Sequence, residues 1–228
     1  MKTFFKSRLW DVCWLGAGSL AILISTTVNF SGFSILLFTS FIGSILGLVI
    51  VLSMANLKGK FGSTLGVIGA GFDCYNNFNY GIMAQALLVI YTGLTYIFGF
   101  FTLGRKMSIK QTNFLDILVS SIAAVLGLTI LYFFGSSILP LEAPNWIFYL
   151  SCFCFLIQVV AQYLMITGKV FSWYIWVLAN IINIIIYASL YFLHLEPMAV
   201  FYMILTTMYL LNSIKAIFVW SSPDPERS

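Results

Sequence analysis

FSWYIWVLANIINIIIYASLY, residues 171–191, is an apolar run that is long enough to cross a membrane. Five polar or aromatic side chains recur in it at spacings of three, four, three and four: Trp173, Trp176, Asn180, Asn183 and Tyr187. On a helix with 3.6 residues per turn these five side chains share one face, which we call the stripe. Hydrocarbon cannot satisfy a carboxamide, and an unpaired amide there costs several kcal/mol. We therefore predict a spanning helix whose stripe contacts protein, water or a ligand.

The stripe has two interpretations. Two indoles and a phenol flanking two amides would suit a flat polar molecule that is held by stacking and fixed by hydrogen bonds. Alternatively, the stripe is a seam in which the amides join neighbouring helices and the indoles fill space. Because five such residues keep one register, we favour a ligand site.

The amino-acid composition indicates a polytopic membrane protein. Hydrophobic residues make up 61% of it and charged residues only 8%, with a mean hydropathy of +1.01. Soluble domains carry about 25% charged residues. An intramembrane enzyme would need a nucleophile with its base, or metal ligands, and the sequence offers a single His and no paired carboxylates. We therefore expect no enzyme, metal or cofactor, and we read Cys13, Cys74, Cys152 and Cys154 as packing residues.

Eight apolar runs are long enough to span the hydrocarbon core, which takes roughly 20 residues. The third is the weakest, since it contains Asp73, Asn76, Asn77 and Asn79, and polar residues inside a span often mark function. The predicted spans are residues 10–29, 34–56, 62–79, 82–103, 114–136, 146–167, 171–192 and 197–220.

The basic residues predict the orientation. In an eight-span topology every Lys and Arg falls on one side, which the positive-inside rule assigns to the cytoplasm, so both termini should be cytoplasmic. The opposite loops contain Glu142, His194 and Glu196, and we read His194 as a solvated loop residue. The bases are Lys2, Lys6, Arg8, Lys58, Lys60, Arg105, Lys106, Lys110, Lys169, Lys215 and Arg227, the last two placed at or after the end of the eighth span.

Spans two to four and six to eight read as two copies of one three-helix unit. Aligning the stretch at 59–73 with that at 168–183 sets Gly66 opposite Trp176, Ala70 opposite Asn180 and Asp73 opposite Asn183. Parallel repeats of this kind put a substrate site near mid-membrane at their interface, with the stripe facing the Asp73 region. The predicted divisions are an extra helix at 1–30, a first repeat at 34–103, a linker helix at 114–136, a second repeat at 146–220 and a tail at 221–228.

The stretch VVAQYLMITGKVFSWYIWVLANIINIIIYASLY at 159–191 resembles the PnuC family of B-vitamin transporters. The resemblance rests on a helix that ends in a basic turn, on the W-x-x-W pair Trp173 and Trp176, and on Asn180 four residues later. It continues more faintly through Asn212 and through residues 43–72.

The resemblance implies an all-α fold with a seven-helix core of two parallel three-helix bundles and a linker, similar to the SWEET fold, plus one extra N-terminal helix. It also implies a homotrimer in the cell membrane. The implied function is facilitated uptake of nicotinamide riboside, without an obligatory coupling ion, followed by trapping through a cytosolic kinase. Few acids lie within the spans, which fits uptake without a coupling ion.

Three departures from the family pattern leave the ligand open. The chain reads FGFF at 98–101, has Val89 or Gln85 where members carry a Gln, and has Ser172 before the W-x-x-W pair. Thiamine, riboflavin-like vitamins and deoxynucleosides remain alternatives, as does a non-transporting membrane scaffold. We expect no nucleic acid polymer as partner.

We predict a substrate site in which the indoles enclose the ligand's ring and amides read its polar edge or ribose. Asp73 belongs to the set as an acid that is either a proton site or a structural group held by Asn76 and Asn77. The predicted residues are Trp173, Trp176, Asn180, Asn183, Gln158, Gln162, Tyr187, Asn212 and Asp73.

Overall fold

The computed structural model describes residues 2–5, 7–28, 34–79, 83–104, 106–134, 144–194 and 199–221. A four-residue helix, Lys2–Phe5, precedes eight long helices, and within these ranges the only extended pairing is an isolated bridge between Lys110 and Lys169. The long helices are α1 Arg8–Val28, α2 Ile35–Ala55, α3 Gly59–Asn79, α4 Met83–Thr102, α5 Phe114–Phe134, α6 Asn145–Ile166, α7 Phe171–Phe192 and α8 Ala199–Trp220. All eight predicted spans are thus helices, with ends that differ by three residues or fewer from the prediction.

Five of these helices meet both the length and the apolarity needed to cross a membrane, namely α1, α2, α6, α7 and α8. The shorter stretches Ala86–Thr102 of α4 and Phe114–Ile130 of α5 are also apolar. The polar exception is α3, as predicted, and its 21 residues still match the length of its neighbours. The protein is therefore an eight-helix polytopic membrane protein.

Helices that follow one another in the chain pack side by side. The consecutive helices α2, α3 and α4 form one group and α6, α7 and α8 another, while α5 lies mainly against α6. Contacts between α2 and α8 and between α4 and α6 join the groups, and α1 lies against α2 and α8. The division into two repeats and a linker helix stays a prediction.

Two glycines let large rings approach the helix backbone. A Cβ at Gly66 of α3 would lie 2.4 Å from a ring atom of Tyr96 of α4, and a Cβ at Gly47 of α2 would lie 2.3 Å from the hydroxyl oxygen of Tyr209 of α8. Neither position has room for a side chain while the ring stays in place. These two glycines therefore serve close helix packing.

An ion pair with a fully buried lysine and a partly exposed aspartate ties α1 to the rest of the protein. The ammonium of Lys215 donates to Asp11 of α1 and to Asn56 Oδ1 at 2.7 Å, and Asn56 Nδ2 donates to Asp11 Oδ2 at 2.8 Å. The Lys215 side chain is fully buried. The prediction that placed Lys215 at or beyond the end of its span was wrong, because it lies five residues inside α8, where these two partners replace its hydration.

The basic turns meet at one end of the bundle. Met107 N donates to Leu57 O at 2.8 Å, joining the segment after α4 to the turn between α2 and α3. Lys110 N donates to Gly168 O at 2.9 Å, joining the same segment to the turn between α6 and α7. We call this the basic end. Of the other predicted positions, Lys6, Arg105, Glu142, Glu196, Arg227 and residues 222–228 lie outside the described residues.

Candidate substrate-binding site

Trp173, the first indole of α7, lies near the start of this helix at the basic end. Trp173 is 2% exposed and packs edge-to-face on Trp220 of α8, with 5.4 Å between the ring centroids. Trp220 Nε1 lies within hydrogen-bonding distance of Met54 O and Ala55 O. In contrast, the buried Nε1 atoms of Trp173 and Trp176 have no hydrogen-bond partner among the described residues. Two indole donors of the stripe are therefore left without acceptors.

The amides of the stripe bond to the helices on either side. Asn180 Nδ2 donates to Ser213 Oγ of α8 at 3.2 Å, and Ser213 Oγ in turn donates to Tyr209 O at 2.9 Å. Asn183 Oδ1 accepts from Cys154 Sγ of α6 at 3.2 Å. These are the contacts that the seam interpretation expects of such amides.

The stripe ends on an aromatic pair. The ring of Tyr187 is stacked on Tyr202 of α8, with centroids 5.3 Å apart and planes inclined by 25°. Tyr187 also lies within electrostatic reach of the Tyr209 phenol. The last residue of the stripe thus contacts α8, as Trp173 and Asn180 do.

Both predicted glutamines of α6 are buried. Gln162 Nε2 donates to Thr95 Oγ1 of α4 at 2.9 Å, and the Gln162 side chain also hydrogen-bonds to Tyr96. Gln158 Nε2 donates to Cys154 Sγ at 3.5 Å. Gln162 therefore joins the two groups of helices, and Gln158 stays within α6.

Asn212 of α8 reaches toward the other group of helices. Its Nδ2 donates to Val51 O of α2 at 2.9 Å, and its Oδ1 is buried without a partner among the described residues. The side chain is fully buried. One acceptor therefore remains available next to the α2–α8 contact.

Asp73 of α3 has no hydrogen bond or ion pair on its carboxylate within the described part of the chain. The carboxylate lies against Gly43 of α2, where a Cβ would sit 2.9 Å from Asp73 Oδ1. Asn76 instead accepts from Thr39 at 2.6 Å, and Asn77 donates to the Asp73 backbone carbonyl at 2.7 Å. The two asparagines that were candidates for holding this acid are thus bonded elsewhere.

Two tyrosines in the interior were missed from the sequence. Tyr96 and Tyr209 are both within electrostatic reach of Asp73, and Tyr209 is also within reach of Tyr96. Tyr209 is thus within electrostatic reach of both the acid of α3 and Tyr187 of the stripe. The available signal was indirect: Gly66 and Gly47 face these rings, and a glycine inside a span marks a place where something large approaches.

Taken together, buried or partly buried polar groups of α3, α4, α6, α7 and α8 lie in the contacts between these helices. Some of these groups lack partners among the described residues: the indole N–H groups of Trp173 and Trp176 and the Asn212 carbonyl oxygen. Such a set can donate to and accept from a polar solute. Within the described residues no group of three His, Cys, Asp or Glu could hold a metal ion.

The protein surface also has an open apolar depression of about 510 Å³ between α2 and α3. Ile35, Thr39, Ile68, Gly71, Phe72 and Tyr75 line it. None of the predicted site residues belongs to this lining. The lining therefore shares no residue with the candidate site, although its Phe72 precedes Asp73 in the chain.

Eight membrane-length helices around a polar interior are typical of the class of solute transporters. A family model described as nicotinamide mononucleotide transporter matches residues 37–222, which is most of the chain. The chain therefore belongs to this family, and the predicted membership is confirmed. Proteins of this family are transporters and not enzymes. No curated protein matches the chain.

The fold is similar to one solved structure, titled "Crystal structure of the Vitamin B3 transporter PnuC". The TM-score is 0.68 at 18% sequence identity, and the alignment covers 96% of this chain and 94% of the other. Because only 4% of this chain is left uncovered, the shared fold extends into α1. The helix predicted as an addition to the seven-helix core is therefore part of the likeness.

Proposed function

We propose that this protein mediates facilitated uptake of a nucleoside-like B vitamin, with nicotinamide riboside as its substrate. The observation that carries the proposal is the set of interior polar groups without partners, in a chain that belongs to a transporter family. A buried donor or acceptor without a partner costs free energy, and a polar solute can offset that cost when it binds.

Aromatic and amide groups supply the two kinds of contact that such a solute needs. In the proposed site the indoles of Trp173 and Trp176 enclose the flat ring, and their free N–H groups donate to it. Asn180, Asn183 and Gln158 read the polar edge or the ribose, with Gln162 and Asn212 as supporting groups. Trp173 is 2% exposed in this structure, so binding in this arrangement requires the packing around Trp173 at the basic end to rearrange.

The proposed transport is passive and leads to equal concentrations on both sides. Of the acids in the described residues, Asp11 is paired with Lys215, and Asp116 with Lys169 at 2.5 Å. Asp73 alone has no such partner among them. Coupling to a proton or sodium gradient normally uses buried acids, and paired ones are not free to take that part. The solute is then retained because a cytosolic kinase phosphorylates it.

The proposed orientation puts the basic end in the cytoplasm and the protein in the cell membrane. The turns that carry Lys58, Lys60, Lys106, Lys110 and Lys169 meet there through backbone hydrogen bonds. The positive-inside rule assigns such an end to the cytoplasmic face. Both termini would then be cytoplasmic. On the family resemblance, we also propose that the protein is a homotrimer.

The seam interpretation keeps a specific observation in its favour. Asn180 and Asn183 are bonded to Ser213 and Cys154 of neighbouring helices in this structure. In a purely structural role these bonds would persist throughout the transport cycle, and a solute would never contact the amides. Calorimetry with variants of these residues separates the two roles, since only the ligand role changes affinity.

A thermal-shift screen on the detergent-solubilised protein tests the proposal. A ligand that binds the native state raises stability by about 2.7 kcal/mol at one hundred times its dissociation constant. We expect nicotinamide riboside to raise the melting temperature in a saturable manner, with smaller shifts for thiamine, riboflavin and deoxynucleosides. A larger shift with one of those compounds would correct the substrate, and no shift with any of them would contradict the proposed binding.

A further inference from the structure

The segment after α4 crosses the basic end from one group of helices to the other. We call residues 106–111 the strap. At its start Met107 N donates to Leu57 O at 2.8 Å, in the turn between α2 and α3. At its end Lys110 N donates to Gly168 O at 2.9 Å, in the turn between α6 and α7. The strap therefore closes the gap between the two groups at this end.

Met107 is the strap residue that enters the bundle. It is 1% exposed, and its side chain lies over Gly59, where a Cβ would meet Met107 Cγ at 2.2 Å. It belongs to one buried cluster with Trp173 and Trp220. The cluster also contains Ile50, Met54, Ala55, Tyr96, Met165, Ile166 and Ala216. Met107 thus lies in the same apolar layer as Trp173, the stripe residue nearest the basic end.

A charged latch holds the far end of the strap. Lys169 Nζ donates to Gln111 O at 2.9 Å and pairs with Asp116 at 2.5 Å. Lys169 itself is 6% exposed, although it lies in a turn at the end of the bundle. The strap is therefore fixed by a few hydrogen bonds, the nearby Lys169–Asp116 ion pair, the buried Met107 and the partly buried Ile109, and not by a helix.

A solute that leaves the stripe toward the basic end must pass the Met107 layer. The helices that form this layer are long and packed along their length, whereas the strap can be released by losing the contacts above. We propose that the strap is a gate, in which Met107 closes the basic end of the transport path and the Lys169 latch keeps it closed. This inference rests on the proposed function for its role in transport, but the closure itself can be measured without a substrate.

The first test measures access to the layer behind Met107. A cysteine is placed by Ala216→Cys in a variant whose native cysteines are replaced by Ala, and its modification by a charged thiol reagent is timed. Met107→Ala should raise the rate about tenfold, because the strap loses its buried side chain. The matched control is Met165→Ala, which removes a similar side chain from the same cluster but from α6.

We expect the control to raise the modification rate less than about twofold, because α6 stays in place without Met165. Equal rates in the two variants would overturn the gate, since they would show that any loss of packing opens the layer. An unchanged rate in the Met107→Ala variant would overturn it as well.

The second test locks the strap. Lys110 and Lys169 face each other in an isolated bridge, and neighbouring strands lie about 4.8 Å apart, which is within the reach of a disulfide. In the variant with Lys110→Cys and Lys169→Cys, oxidation should reduce nicotinamide riboside exchange across proteoliposomes to below about a tenth, and a reductant should restore it. Lys169→Cys alone is the control for loss of the ion pair and should not respond to oxidation.

Exchange that is equally fast before and after oxidation would overturn the gate. If the reduced variant and the unmodified protein neither bind nor exchange nicotinamide riboside, the proposed function fails. The access measurement with Ala216→Cys still decides whether Met107 closes the basic end, so the two failures are distinguishable.

Discussion

The buried charged side chains at the basic end have partners, whereas several polar groups in the interior have none within the described part of the chain. At the basic end Lys215 has two partners, Asp11 and Asn56, and Lys169 has Asp116 and Gln111 O. In the interior the indole N–H groups of Trp173 and Trp176 have no partner within the described residues. Asn212 Oδ1 is likewise buried without a partner among these residues.

This difference distinguishes groups that hold the fold together from groups that can bind a solute. Charges that are paired inside the protein fix helices against each other. Removing one partner leaves the other charge uncompensated where water solvates it poorly. Polar groups without partners contribute nothing to holding the fold and are available to a solute. Changes at the basic end should therefore lower stability and spare binding, and changes in the interior should do the reverse.

The largest effect is expected for Lys215→Met. Loss of the ammonium leaves Asp11 with Asn56 as its side-chain partner among the described residues. Because Asp11 is 25% exposed, we expect a cost of about 3 kcal/mol, the lower end of the range for broken buried pairs. The free energy of unfolding in detergent should fall by such an amount, while the affinity for nicotinamide riboside in the folded protein stays unchanged. Lys58→Met, at an exposed lysine close to Asn56, is the matched control and should be nearly neutral.

A second substitution tests whether the uncompensated charge of Asp11 causes the stability loss of Lys215→Met. Adding Asp11→Leu to Lys215→Met removes both charges together, and the double variant should recover much of the lost stability. Equal stability losses in Lys215→Met and Lys58→Met would show that the ion pair does not hold α1.

The next effect, on binding, is expected for Asn180→Leu. An amide that bonds a buried ligand group contributes about 1–3 kcal/mol, so the dissociation constant should rise roughly tenfold or more. Stability should change little, since Ser213 Oγ keeps its bond to Tyr209 O. Ser213→Ala is the control, because it removes the partner of Asn180 within the protein and leaves the amide free for a ligand. Unchanged affinity in a well-folded Asn180→Leu variant would assign the residue to the seam.

A smaller effect is expected for Trp176→Phe, which keeps an aromatic ring but removes the indole N–H. A single hydrogen bond contributes about 1 kcal/mol, so affinity should fall roughly threefold to tenfold as measured by calorimetry. The melting temperature of the free protein should not fall through loss of a hydrogen bond, since this N–H has none to the described residues. Trp146→Phe, at a half-exposed tryptophan of α6, should leave affinity unchanged.

No effect on the level of uptake is expected for Asp73→Asn. If transport is passive, the internal concentration of nicotinamide riboside stops at the external one whether or not residue 73 carries an ionisable group. Proteoliposomes with an inward proton gradient provide the measurement. Accumulation in the unmodified protein that is lost only in the Asn variant would identify Asp73 as a coupling site and contradict the passive mechanism.

The sequence was sufficient to predict the helices. The thickness of the hydrocarbon core sets their length, and the apolar runs end at charged turns on one side and at short turns with Gly, Asn or Pro on the other, so all eight were located to within three residues. It was also sufficient for the family, because Trp173, Trp176 and Asn180 keep a spacing that depends only on one helix. These features are local, and a linear pattern records them directly.

Contacts between distant helices could not be predicted in the same way. Lys215 was misplaced because its partners, Asp11 and Asn56, are 204 and 159 residues away in the chain. Tyr96 and Tyr209 were missed because a tyrosine in an apolar run resembles many lipid-facing aromatics, and only the glycines opposite them distinguish these two. The unsatisfied state of the indoles is likewise a property of the packed helices and not of their spacing.

Uptake of labelled nicotinamide riboside into proteoliposomes tests the central claim most directly. The account predicts saturable uptake that ends at equal concentrations inside and outside, is unaffected by an imposed proton or sodium gradient, and rises further only when a phosphorylating kinase and ATP are enclosed. Uptake no faster than in protein-free liposomes would contradict nicotinamide riboside as the substrate, and accumulation driven by a gradient alone would contradict facilitated transport.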